Sequence, residues 1–109
     1  MRTVIVCGGR SFHDHATLWR ELDAAHAGNP ISLVVTGGAF GADALAASWA
    51  RAHKIEYRKY PASWERHGRA AGPARNATML KEHPGAEVIA FPGGTGTADM
   101  VRRDRKSVV

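Results

Sequence analysis

The sequence predicts a three-layer α/β/α domain built on a parallel sheet, and three observations carry that expectation. Short apolar segments rich in valine and isoleucine alternate with segments of helical spacing along the chain. Three of the apolar segments run into glycine-rich turns: Cys7-Gly8-Gly9-Arg10-Ser11, Thr36-Gly37-Gly38-Ala39-Phe40-Gly41-Ala42-Asp43 and Phe91-Pro92-Gly93-Gly94-Thr95-Gly96-Thr97-Ala98-Asp99. The 109 residues suffice for one domain with one core and not for two, so residues 1–109 are read as a single unit.

Arg2–Cys7 alternates little and reads as a strand covered on both faces. His13–Ala27 reads as a helix, with Leu18, Leu22 and Ala25 at helical spacing, Asp14 as its cap and Gly28-Asn29-Pro30 as its stop. Ile31–Val35 is the second strand. Gly41–His53 is the second helix, with Leu45, Trp49 and Ala52 on one stripe. Ile55–Tyr60 alternates with polar residues, as a sheet edge would. Pro61–Gly72 is a loop near the length above which loops tend to carry function. Pro73–His83 is the third helix, with Pro73 at its first turn. Ala86–Phe91 is the fourth strand and Thr97–Lys106 the fourth helix, and Ser107-Val108-Val109 looks like the start of a fifth strand. No internal repeat, linker or low-complexity segment is visible.

Such alternation implies parallel strands joined by right-handed crossovers. A doubly wound sheet would then have the order 3-2-1-4, with a fifth strand beyond the fourth. Its switch point lies between the first and fourth strands. The turns Gly8–Ser11 and Pro92–Thr97 flank that crevice, Gly37–Asp43 lies beside it, and the long loop is free to fold over it.

Glycine turns at strand-to-helix junctions let backbone amides approach a bound group, and the helix start adds a positive dipole end. A phosphorylated ligand, with a nucleotide foremost, is therefore expected at these turns. Gly93, Gly94 and Gly96 remove side chains between backbone and ligand, and Thr95 and Thr97 add hydroxyls. Gly37, Gly38 and Gly41 can do the same after the second strand, where Asp43 can accept from ribose hydroxyls or favour the helix start. Arg10, beyond Gly8 and Gly9 and beside Ser11, can clamp a phosphate through its planar fork. In the long loop and helix start, Trp64 offers a flat face to a base or plugs the loop, Arg69 and Arg75 offer charge, and Asn76 meets a base edge or caps a helix.

The net charge of +5, from 15 Lys and Arg against 10 Asp and Glu, suits polyanionic partners without choosing among them. Much of the excess sits in Arg102, Arg103, Arg105 and Lys106, which would also suit the negative end of a last helical turn. The single cysteine, Cys7, reads as a small buried residue and can form no internal disulfide. The six histidines show no ligand spacing, so no metal site is assigned. No apolar run approaches the roughly 20 residues that span a bilayer, and no signal-type h-region follows the N-terminus; a cytoplasmic protein with no membrane partner is expected.

The segments Val35 to Asp43, Gly72-Pro73-Ala74-Arg75-Asn76 through Met79-Leu80, and Phe91 to Met100 resemble the SLOG superfamily, and within it the small YspA-type branch related to cpYpsA. The likeness covers nearly the whole chain. It implies a Rossmann-like domain that binds a nucleotide or nucleotide derivative and requires no cofactor. Better-known relatives pull the function in different directions. The LOG phosphoribohydrolases carry a similar Pro-Gly-Gly-x-Gly-Thr turn, after Pro92 here, and release a base from a nucleoside 5′-monophosphate. By that resemblance Arg75 and Asp99 would be the catalytic pair, with the phosphate on Gly93–Thr97. Asp99 stands where these relatives carry glutamate, one methylene longer, and a misplacement of about 1 Å can cost about 100-fold in rate. The DNA-processing protein A family binds single-stranded DNA with the same fold, which the basic balance fits; Trp64 is the good candidate for stacking. A sensor that holds a signalling nucleotide unaltered is the third expectation. Relatives commonly pair through helices, so a homodimer stays open, and Trp19 or Trp49 would serve such a surface or the core.

Overall fold

A computed structural model describes residues 2–62 and 71–103. Its elements run β1 (Thr3–Cys7), α1 (His15–Gly28), β2 (Leu33–Thr36), α2 (Ala42–Ala52), β3 (Glu56–Lys59), α3 (Ala71–Glu82), β4 (Glu87–Ala90) and α4 (Thr95–Arg103). The sheet is parallel throughout and has the order β3-β2-β1-β4, as expected. Val4 pairs in register with Val34 on one side and Glu87 on the other, which makes β1 central. The proposed fifth strand at Ser107–Val109 lies outside the described residues, as do Arg105 and Lys106.

Successive side chains of a strand point to opposite faces, and the core divides accordingly. Val4, Val6, Val34, Ile89 and Phe91 pack with Leu18 and Leu22 of α1 and Ala46 and Trp49 of α2. Ile5, Cys7, Val35, Val88 and Ala90 pack with Met79 of α3 and Met100 of α4. Two helices therefore cover each face, giving the three layers. Trp49 is fully buried, and its Nε1 donates to Asp23 Oδ1 at 2.9 Å, tying α2 to α1. Its place is in the core; Trp19 packs partly buried against the same cluster and stacks on His15.

Local chemistry explains most boundaries. Asp14 caps α1, accepting from Thr17 N at 3.1 Å and from Thr17 Oγ1 at 2.6 Å. The edge strand β3 is largely exposed, which accounts for its polar alternation. Two expectations are corrected. The buried face of α2 is Ala42, Ala46, Trp49 and Ala50; Leu45 is half-buried and Ala52 exposed. Small alanines face the sheet because the helix start runs very close to it: a Cβ on Gly8 would lie 2.5 Å from Ala42 Cβ. Helix α4 begins at Thr95 rather than Thr97, because Ala98 N already donates to Gly94 O at 3.0 Å. Thr95, Gly96 and Thr97 are thus its first turn. No helix among the described residues is long and apolar enough to cross a membrane.

Candidate functional site

The turns after β1, β2 and β4 meet at the C-terminal rim of the sheet and are stitched to one another. Gly9 N donates to Pro92 O at 2.9 Å, while Gly9 O accepts from Ala42 N at 3.2 Å. This close approach is what several glycines serve. Gly41 has φ +74°, and a Cβ there would strike the Gly9 and Arg10 carbonyl groups. A Cβ on Gly93 would lie 2.6 Å from Gly9 N. By contrast, a Cβ on Gly94 or Gly96 would meet nothing within 4 Å. Packing therefore accounts for Gly41 and Gly93 but leaves Gly94 and Gly96 facing open space.

That space is a cavity of about 1000 Å³ at the switch point between β1 and β4. It is lined from the β1 turn by Cys7, Gly8, Gly9 and Arg10, and from the β2 turn by Gly37, Gly38, Ala39, Phe40 and Asp43. Gly72, Pro73, Arg75, Asn76 and Met79 line it from α3, and Gly94, Gly96 and Thr97 from the start of α4. Pro61 and Ala62, just past β3, complete the wall. Of the expected site residues, Ser11, Thr36, Gly41, Pro92, Gly93 and Asp99 do not line it. Thr36 is buried and shapes the turn, its Oγ1 accepting from Gly38 N at 3.2 Å. Thr95 opens α4. Trp64 and Arg69 lie outside the described residues.

Arg75 reaches from α3 to the β2 turn. Its Nη1 donates to Gly37 O at 3.0 Å and its Nε to Asn76 Oδ1 at 2.9 Å. A Cβ on Gly37 would collide with that guanidinium, so the glycine makes room for the arginine. Asn76, almost fully buried, donates from Nδ2 to Gly96 O and to Asp99 Oδ2, both at 3.0 Å. It brackets α3 to α4 at the cavity wall rather than capping its own helix.

The two carboxylates expected at the site have different environments. Asp99 receives Arg103 Nε at 2.7 Å and Arg102 Nη2 at 3.3 Å as well as Asn76. Burial opposes its charge, but the Arg103 and Asn76 hydrogen bonds and the arginine charges outweigh it and hold the carboxyl below its ordinary range. Asp43 is buried and lines the cavity, accepting from Ala39 N at 3.1 Å. Burial pushes it up to about 6, against the pull of the Ala39 and Gly37 amides and the Arg75 charge. The Cys7 thiol is pushed up to about 12 by burial and by Asp43, which favours the protonated thiol. Among the described residues, no group of three or more His, Cys, Asp and Glu side chains could hold a metal ion.

Residues 2–67 match the model of the YspA, cpYpsA-related SLOG family, which is more than half of the chain. The chain belongs to this family. A curated relative, the gene 61 protein of Mycobacterium phage D29, is 38% identical over 117 residues, covering 98% of this chain and 91% of the relative. Phe40 and Met79 line the cavity although sequence reasoning did not assign them to it, while Pro61 and Ala62 line it from the start of the long loop expected to fold over the crevice. Pro61 and Ala62 follow a strand at its C-terminal end, where ligands of open α/β sheets bind.

Proposed function

We propose that this SLOG domain binds a nucleotide or nucleotide-derived ligand in the rim cavity. The observation that carries the reading is that Gly94 and Gly96 open onto a cavity at the N-terminus of α4 with no packing demand for their missing side chains. First-turn N–H groups lack intrahelical acceptors and sit at the positive end of the dipole, which favours a phosphate. Thr97 adds a hydroxyl and Arg10 a cation on the same cavity. Asp43, at the β2 turn and on the cavity wall, supplies the acceptor that ribose hydroxyls need. The cavity volume is at the upper end of small-ligand sites.

Binding without turnover has the better support. The hydrolase reading needs Asp99 free to face substrate, yet its oxygens hold three donors and it does not line the cavity. Thermal-shift screening of nucleoside 5′-monophosphates tests the proposal, since a ligand selective for the folded state raises the melting temperature. A parallel free-base assay separates binder from hydrolase: a melting shift with no base release supports the sensor. No shift with mononucleotides, together with salt-steep binding of oligonucleotides, would favour single-stranded DNA instead.

A further inference from the structure

Phe40 is the exposed large hydrophobic side chain among the described residues, 78% accessible, and it lines the cavity. An aromatic ring left in water is a favourable surface for a partner to cover. The turn carrying it is held at both ends. Gly38 and Gly41 each have φ +74°, a conformation other residues rarely adopt. Ala39 N is anchored on Asp43 Oδ2 at 3.1 Å, and Gly41 is packed under the Gly9 and Arg10 backbone. The ring therefore projects from a fixed backbone.

Ala39, Pro61 and Ala62, on the same cavity wall, are apolar and come from the β2 and β3 ends of the rim. Gly94 and Gly96, which line the cavity, come from the β4 end. With β1 between β2 and β4, the two ends stand about 10 Å apart, two strand spacings. The cavity thus has an anion end at the start of α4 and, at the β2 turn, an apolar and aromatic wall beside Asp43 and Arg75. That polarity matches a nucleoside monophosphate laid across the rim.

We propose that Phe40 is the base platform of this cavity, its ring stacking on the planar base of a nucleotide whose phosphate rests at the start of α4. The inference rests on the nucleotide reading above and assigns the end of the cavity that reads the base.

The test uses the full chain and calorimetric titration with AMP, GMP, CMP, UMP and ribose 5-phosphate, for wild type, Phe40→Ala and Phe40→Tyr. Phe40→Ala should weaken the best-bound nucleotide about tenfold and leave ribose 5-phosphate within about twofold, because only the base is lost as a partner. Phe40→Tyr should keep nucleotide affinity, since it keeps the ring. Unchanged nucleotide affinity in Phe40→Ala, or equal weakening of nucleotide and sugar phosphate, would overturn the assignment of Phe40 while leaving nucleotide binding standing. A Phe40→Ala protein that changes oligomeric state but not nucleotide affinity would give the ring to a second copy and overturn it too. Failure of every probe to bind wild type would overturn the nucleotide reading, and this inference with it.

Discussion

Arg103 Nε lies 2.7 Å from Oδ2 of Asp99, four residues back along α4, and Asn76 Nδ2 of α3 reaches the same oxygen at 3.0 Å. Asp99 thus clamps two helices on one face of the sheet. Asp99→Ala would leave one N–H of the buried Asn76 amide unpaired and should cost about 2 kcal/mol in denaturant unfolding at neutral pH. Nucleotide affinity, measured on the folded variant, should stay within about twofold, since Asp99 does not line the cavity. The sign of the pH effect is fixed as well. The folded carboxyl titrates below its unfolded value, so its stabilisation is full above about pH 4 and lost as pH falls through the depressed value. The stability gap between wild type and Asp99→Asn should narrow on acidification below about pH 4.

Asp43 behaves in the opposite sense. Its folded carboxyl is pushed from 3.8 to about 6 by burial, so between those values the folded state holds a proton that the unfolded chain has released. Stability from this group therefore falls as pH rises from about 4 to about 6, then stays flat. Asp43→Asn removes the buried charge and can still accept from Ala39 N. It should stabilise the protein by about 1–3 kcal/mol at pH 7, and the gain should fade towards pH 4. The same variant should bind nucleotide less tightly at pH 7. Wild-type affinity should drop below about pH 6 by an amount absent from the Asp43→Asn profile; that comparison subtracts the titration of the ligand's own phosphate.

The strand order was legible because it follows from alternation and handedness, which depend on pattern rather than on particular contacts. Gathering of the turns at one rim came with it. What could not be read was which glycines face the cavity and which face protein. Gly93 and Gly94 are adjacent, yet one is pressed against Gly9 and the other opens onto the cavity. Only the distance between β1 and β4 turns decides that. The same holds for the carboxylates: the resemblance gives Asp99 a role, and no motif shows that the arginines one turn along α4 pair with it. Leu45 misled for a simpler reason. Helical spacing marks a stripe, and a helix pressed close to the sheet buries the alanine side of that stripe.

Arg75 joins the cavity to this clamp, donating to Gly37 O and to Asn76 Oδ1 from different nitrogens. Lysine carries the charge but cannot make both bonds from one compact ammonium. Arg75→Lys should therefore lower nucleotide affinity about fivefold to tenfold, with a stability loss near 1 kcal/mol. Titration calorimetry and denaturant unfolding on the same preparation measure the two effects. Equal affinity in Arg75→Lys would mean that charge alone, and not the fork, serves the ligand.

The adjacent roles of the glycines give a paired test. At Gly41 the backbone has φ +74° and a Cβ would run into the Gly9 carbonyl, whose oxygen also accepts from Ala42 N. Gly41→Ala must distort the junction of the β1 and β2 turns and should cost about 2–3 kcal/mol or more. At Gly94 a Cβ meets nothing within 4 Å, so Gly94→Ala should change stability by less than about 0.5 kcal/mol. Its methyl group would instead stand between the start of α4 and an anion on the cavity. Loss of one charge-assisted hydrogen bond there would weaken ribose 5-phosphate and nucleotide alike by about tenfold or more. A stable Gly94→Ala protein that binds both probes as wild type would place the phosphate elsewhere on the rim, whereas selective loss of both, beside an unstable Gly41→Ala, would separate the glycine that binds from the glycine that packs.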